Sequence, residues 1–202
     1  MSYPLPKRVL DKTFAVLMLL LLSPVILALL IAMSISMILR RQDRGSFLYR
    51  EPRMSRGRPF GLLKFRTLRA DVLDGEHARL LEADEANLTW AGKRMLKPWY
   101  LDEIPQLLNV LKGDMSLVGP RPWPPRLVER QVAEGYTYRN EVPAGLTGLA
   151  QVSKGSDQQF QDLDVEYVER CRTLGGWAVA RYDLGILAST VRVMARGEGL
   201  SY

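Results

Sequence analysis

Two adjacent acids and an arginine near the middle of the chain have the chemistry to handle phosphate. Asp102 and Glu103 stand together in Leu101-Asp102-Glu103-Ile104-Pro105-Gln106, and Arg121 lies between prolines in Gly119-Pro120-Arg121-Pro122. Each proline fixes its own φ and biases the residue before it away from helix, so Arg121 has little choice of direction. A guanidinium held in that way suits bidentate contact with phosphate oxygens. A capped helix, a proline turn and a surface ion pair explain either half alone, whereas the two halves together favour a phosphate-handling site.

The elements that position these groups are legible in outline. Ile104, Leu107, Leu108 and Leu111 recur at helical spacing up to Gly113, and Pro105 is tolerated only in the first turn of such a helix. Asp102 and Glu103 therefore fall at its amino end, where unsatisfied N–H groups and the dipole stabilise anions, and Asp102 is expected to be ionised. The segments 46–50 and 60–67 read as short strands joined through Arg56-Gly57-Arg58-Pro59, a hairpin. On a period of two, Lys64 and Arg66 point to one face and Leu63, Phe65 and Thr67 to the other. Pro124-Pro125 lead into a helix over 126–133, and 141–148 is a turn-rich return. Within it Gly145 and Gly148 permit close backbone approach, to a ligand or simply within the turn. A last helix over 181–196 gathers Leu184, Leu187, Ala188, Val191 and Met194 on one face, suited equally to packing on the protein or to a membrane surface.

From Thr13 to Leu39 there are 27 consecutive residues without a charge. That is enough for about 40 Å of helix and too long for the apolar core of a signal peptide, so this segment enters a membrane. Lys7, Arg8 and Lys12 precede it while Arg40, Arg41 and Arg44 follow it, which makes both ends cytoplasmic in character. Ser23-Pro24 kinks it near the middle. A re-entrant helix and a spanning helix with a tolerated proline both fit these residues. Residues 40–70 carry ten Lys or Arg against only Asp43 and Glu51, a net of +8 in a chain whose total is +6. Beside a membrane segment that charge suits anionic lipid headgroups and a phosphorylated substrate. No nucleic-acid motif accompanies it, so nucleic acid is not expected as a partner. A chain of 202 residues buries one core, its single Cys171 precludes an internal disulfide, and its single His77 leaves nothing for a histidine-rich zinc site or a Ser-His-Asp triad. The implied division is a membrane-embedded segment with basic flanks over 1–44 and a catalytic domain over 45–202.

The stretches Leu101-Asp102-Glu103-Ile104-Pro105-Gln106-Leu107, Asn109-Val110-Leu111-Lys112-Gly113-Asp114-Met115-Ser116 and Val118-Gly119-Pro120-Arg121-Pro122 resemble the bacterial sugar transferases, the monotopic phosphoglycosyl transferases. The resemblance extends to Lys64-Phe65-Arg66-Thr67, to Gly145-Leu146-Thr147-Gly148-Leu149-Ala150-Gln151-Val152, to Asp164 with Tyr167-Val168 and to Asp183 with Thr190. It implies an α+β, mostly helical fold: a re-entrant membrane helix broken at Ser23-Pro24, interfacial amphipathic helices and a short β-hairpin around a small catalytic core. The location implied is the cytoplasmic face of the bacterial inner membrane, with lipid as a partner. The activity implied is transfer of a phosphosugar from a UDP-sugar to polyprenyl (undecaprenyl) phosphate with release of UMP, the first membrane step of glycoconjugate or polysaccharide assembly.

The same resemblance implies the roles. Asp102 is the nucleophile, forming a covalent acyl-phosphate, and also a Mg²⁺ ligand; Glu103 supports the metal or handles protons. Arg121, helped by Lys64 and Arg66, stabilises phosphoryl charge. Lys97, Gln151 and Lys154 fall where nucleotide and sugar are recognised, and Asp164 is carried over without a defined role. The length resembles the small form of the family, which lacks further membrane helices and an amino-terminal domain; the oligomeric state is open, a homodimer included. The chain departs from the family pattern where Lys97 replaces an arginine and is followed by Pro98-Trp99-Tyr100, where Ala144 precedes Gly145, and where Ser153-Lys154-Gly155 replace Asn-Gly-Arg. A rival reading, a non-catalytic basic adaptor for anionic lipids, explains the charge and the anchor but not the combination of Asp102-Glu103 with a proline-locked Arg121.

Overall fold

The computed structural model describes residues 3–72, 81–153 and 159–196. The chain forms two compact units, one from Met1–Ala15, Arg53–Phe60 and Val110–Tyr202, the other from Val16–Pro52 and Gly61–Asn109. Helices and a few short strands make it α+β and mostly helical.

The apolar amino-terminal segment is two helices, α1 (Leu5–Leu21) and α2 (Ser23–Leu39), bent by 58° at the break. Pro24 supplies no N–H to the carbonyl four residues earlier, that of Leu20, and the Ser23 hydroxyl donates to that carbonyl instead at 2.7 Å. No single described helix is long and apolar enough to cross a membrane, whereas the bent pair is, by length and composition. The two helices bury unlike faces. On α1 the inward residues are Lys7, Asp11 and Ala15, four apart, while Leu5, Val9, Val16, Leu17, Leu20 and Leu21 are exposed. On α2, Leu29 and Met33 pack with Phe65, Ala91 and Leu96 to form the core of the second unit, and Leu27, Ile31, Ile35 and Ile38 are exposed.

The expected hairpin is present as β1 (Leu48–Ser55) and β2 (Arg58–Phe65), turning at Arg56-Gly57 with φ of 51° and 70°. After it, a helical turn that begins at Trp90 widens to π spacing over Gly92–Leu96, closed by Lys97 N–H on the Gly92 carbonyl at 3.0 Å. Tyr100 is left-handed, at φ 54°, and leads into a 3₁₀ turn, Leu101–Glu103. Helix α3 (Gln106–Lys112) starts only after Pro105 and ends at Gly113 with φ 86°.

In the first unit, β3 (Ser116–Val118) pairs in parallel with β4 (Gly145–Thr147), Ser116 opposite Gly145 and Val118 opposite Thr147. The return expected over 141–148 begins as a turn and ends in this three-residue strand. Its glycines do not leave space for a ligand. A Cβ on Gly145 would lie 2.1 Å from the Gly119 nitrogen and one on Gly148 would lie 2.3 Å from the Gly119 oxygen, so these glycines let backbone pack on backbone. Helices α4 (Pro125–Ala133), α5 (Leu149–Val152), α6 (Phe160–Thr173) and α7 (Gly176–Ala195) complete this unit. Helix α7 buries Val179, Asp183, Ile186 and Thr190 and leaves Trp177, Leu184 and Val191 exposed at seven-residue spacing, so it packs on the protein and still presents an apolar stripe.

Candidate active site

The residues singled out from the sequence fall into two groups. Lys64, Arg66, Lys97, Asp102 and Glu103 belong to one unit, and Arg121, Gln151 and Asp164 belong to the other. Lys154 lies outside the described residues.

Asp102 is 3% exposed, while Glu103 beside it is half-buried. The Lys97 ammonium lies 3.8 Å from Asp102 Oδ2 and donates at 2.6 Å to Glu82 Oε2, so one cation bridges two carboxylates. Glu82 is fixed in turn by the Thr67 hydroxyl, which donates to Oε1 at 2.5 Å. Burial pushes the Asp102 carboxyl up to about 6; Lys97 and Lys64 oppose the rise, and Glu103 and Glu82 add to it. The expectation that Asp102 is ionised therefore holds near neutral pH, but against burial and not through stabilisation by a helix end. Asp102 sits in a 3₁₀ turn ahead of a seven-residue helix, and there desolvation outweighs the few free N–H groups. Near neutral pH it is still mostly a carboxylate, and a more basic one than usual. On Lys97, burial is outweighed by Asp102 and Glu82, and its pKa is raised. Lys97 is thus a point charge held between two acids.

Lys64 and Arg66 are held by different partners. Lys64 lies in β2, 3.4 Å from Glu51 and close enough to Asp102 to affect its titration. Arg66 follows the end of the strand, is 2% exposed, and donates to three main-chain carbonyls: Ser46 at 2.8 Å, Leu68 at 2.7 Å and Asp43 at 2.6 Å. Its guanidinium ties loops together, so the expected phosphate contact gives way to a structural role. Strand alternation ceases at Phe65, which is why a period of two misplaced it. Asp43, to which the sequence reading gave no role, accepts from the Ser36 hydroxyl at the end of α2 and from the Trp90 N–H at 3.0 Å.

In the other unit, Arg121 follows β3 on the Pro-Arg-Pro segment and is half-buried. Asp164, on α6, is 1% exposed and pairs at 2.5 Å with Arg139, a residue the sequence reading passed over. Burial raises the Asp164 carboxyl to about 6 and Arg139 only partly opposes the rise. Gln151 is fully buried, and its side-chain amide has no hydrogen-bond partner among the described residues.

A third cluster joins the amino-terminal helix to the strand that leads to Arg121. Lys7, 2% exposed, forms a short ion pair with Asp183 on α7 and donates to the Val118 carbonyl at 3.0 Å. Asp11 accepts from the Ser116 hydroxyl at 2.7 Å and the Leu117 N–H at 3.1 Å. The Tyr167 hydroxyl lies 3.0 Å from both Val118 O and Asp183 Oδ1. Lys7, counted with Arg8 and Lys12 among the basic residues ahead of the apolar segment, is an interior residue, and Arg8 and Lys12 are exposed.

No group of three His, Cys, Asp or Glu side chains able to hold a metal occurs among the described residues. A pair of adjacent carboxylates nevertheless suits Mg²⁺, which characteristically keeps several waters and is bound by one or two carboxylates together with substrate phosphates. Asp102 and Glu103 fit that pattern, and their mutual repulsion is what a cation between them would relieve.

Asp102 is thus a buried carboxylate of raised pKa with a second acid and a lysine beside it. The sequence matches the model of the family described as bacterial sugar transferase over residues 2–197, and the chain belongs to that family. It is 35% identical over 196 residues to the undecaprenyl-phosphate glucose phosphotransferase of Komagataeibacter xylinus, covering 93% of this chain and 35% of that protein. It is 36% identical over 198 residues to the UDP-glucose:undecaprenyl-phosphate glucose-1-phosphate transferase of Caulobacter vibrioides, covering 93% and 68%. To the UDP-N-acetylgalactosamine-undecaprenyl-phosphate N-acetylgalactosaminephosphotransferase of Aeromonas hydrophila it is 30% identical over 200 residues, covering 98% and 45%. The chain thus spans less than half the length of two of these relatives and about two thirds of the third.

Proposed function

We propose that the protein transfers a phosphosugar from a UDP-sugar to a polyprenyl phosphate such as undecaprenyl phosphate, at the cytoplasmic face of the bacterial plasma membrane. The observation that carries this reading is Asp102, a carboxylate held out of water and raised in basicity beside a second acid, within a chain that matches a sugar transferase family over nearly its whole length. The ionised Asp102 oxygen attacks the sugar-linked phosphorus, and the bond from that phosphorus to the bridging oxygen breaks, its electron pair leaving with UMP. A phosphate oxygen of the polyprenyl acceptor then attacks the same phosphorus, returning Asp102 as carboxylate and leaving a polyprenyl-diphosphate sugar. Lys97 keeps a positive charge beside the nucleophile, Glu82 holds Lys97 in place, and Arg121 takes phosphoryl charge. Asp102 with Glu103 would hold Mg²⁺, which would supply the positive charge that offsets repulsion between the donor's diphosphate and these acids.

The membrane part of the reading is supported by α1 and α2. A helix that turns Lys7 and Asp11 inward and its leucines and valines outward is built for apolar surroundings, since ionisable groups beside lipid pair within the protein. The 58° bend and its Ser23 repair suit a re-entrant helix that returns to its own side. A shallow anchor of that kind brings a water-soluble donor and a membrane-bound acceptor to one place.

Purified protein in detergent, given Mg²⁺, undecaprenyl phosphate and a panel of UDP-sugars, is expected to release UMP with at least one donor, and chelation of the metal is expected to stop it. The relatives' names differ in the sugar, so the panel includes glucose and N-acetylgalactosamine donors. Binding to anionic vesicles with no UMP from any donor would make the protein a lipid-binding adaptor instead.

A further inference from the structure

Arg139, on the 3₁₀ turn Tyr138–Asn140, donates a hydrogen bond from each of its three guanidinium nitrogens within the protein. Nε donates to Gln131 Oε1 at 3.0 Å, Nη1 to the main-chain carbonyl of Arg121 at 2.8 Å, and Nη2 to Asp164 Oδ2 at 2.5 Å. One face lies 4.0 Å from the centroid of the Trp123 ring. Two of these contacts, the Arg121 carbonyl and the Trp123 ring, belong to the same short segment, Pro120-Arg121-Pro122-Trp123.

That segment is unusual in how it can be held. Pro120 and Pro122 have no N–H, so the chain around Arg121 must be anchored largely through its carbonyls. Pro120 O accepts from Gly145 N–H at 2.9 Å, Arg121 O accepts from Arg139, and Trp123 O accepts from Met54 N–H at 2.9 Å. The prolines make the segment stiff, but stiffness does not stop a rod from rocking; the bond to Arg121 O, at its centre, does. Asp164 completes the arrangement, since a guanidinium 9% exposed needs a counter-charge.

We propose that Arg139 is a positioning residue that fixes the direction of Arg121, and that Asp164 and Trp123 affect the reaction only by holding Arg139. This rests on the reading of Arg121 as the ligand of phosphoryl charge. It also gives a role within the protein to Asp164, which the sequence leaves without one.

The test is a double-mutant cycle in the full chain, reading kcat and KM for UMP release with a donor that turns over in the panel. Arg139→Lys keeps a charge beside Asp164, but a single ammonium cannot also serve Gln131 and the Arg121 carbonyl. It is expected to lower kcat by about 10²-fold, the cost of a misplaced catalytic group, with a much smaller change in KM. In an Arg121→Ala background the same change is expected to cost less than about twofold, because nothing is left to position. Asp164→Asn, which keeps an oxygen towards Arg139 and its shape, is expected to show the same loss of effect, and guards against Arg139→Lys failing to fold. Full losses on top of Arg121→Ala would show that Arg139 merely stabilises the fold and would overturn the proposal. If Arg121→Ala is itself silent, the reading of Arg121 falls and the positioning role falls with it; if Arg121→Ala is costly and the losses multiply, only the positioning role falls.

Discussion

Asp102→Asn is expected to have no measurable turnover with any donor and, above neutral pH, to melt at a higher temperature than the wild type. The first effect follows from loss of the attacking oxygen with little change of shape. The second follows from linkage. The Asp102 carboxyl is raised from 3.8 to about 6, so the folded state binds its proton more tightly than the unfolded state does. Its burial therefore costs nothing below pH 4, where both states are protonated; stability is lost as pH rises towards 6, and the full cost persists above it. A two-unit shift corresponds to about 3 kcal/mol. Asparagine has no such proton to lose, so melting curves taken without Mg²⁺ should diverge from wild type between pH 4 and pH 6 and coincide at pH 3.5. A wild-type-like melting profile at pH 8 would mean that Asp102 is not held out of water. Stability given up at one carboxylate in exchange for a more basic nucleophile is the expected signature of a site selected for chemistry.

Lys7→Ala should produce the largest loss of stability of any single substitution considered, about 3 to 5 kcal/mol, because it leaves Asp183 buried without its counter-charge. It also removes a donor from the Val118 carbonyl, at the end of the strand that leads to Arg121. Replacing both partners by apolar residues, Lys7→Met with Asp183→Leu, should recover much of the loss, since an apolar pair carries no unpaired charge. Thermal denaturation in detergent measures both. A Lys7→Ala protein as stable as wild type would mean that Asp183 finds water or another partner, and the amino-terminal helix would then owe little to this contact.

What could be read from the chain and what could not divides along physical lines. The hairpin, α4, the break at Ser23-Pro24 and the stop at Gly113 were legible because proline, glycine and short apolar periods act locally. The β3–β4 pair was hidden because three residues are too few for a period and Gly145-Leu146-Thr147 has the composition of a turn. Arg66 was misassigned because the strand ends one residue before it. Asp102 and Glu103 stood out by adjacency and Arg121 by its prolines, yet the groups that hold or tune them did not. Lys7 and Asp183 are 176 residues apart, and Arg139 and Asp164 are 25 apart on different elements, so no local pattern joins them. Glu82 lies among several other acids with no spacing that marks it, and only the fold brings it to Lys97.

The central claim is that Asp102 becomes covalently phosphorylated, which requires UMP to leave before the polyprenyl phosphate enters. Wild-type protein mixed with its donor and Mg²⁺, without acceptor, and quenched rapidly is expected to release at most one equivalent of UMP and to gain the mass of a phosphosugar on the peptide containing Asp102. Release of UMP only when donor and acceptor are present together, with no adduct at any quench time, would contradict the account and make Asp102 a metal ligand or base in a direct displacement.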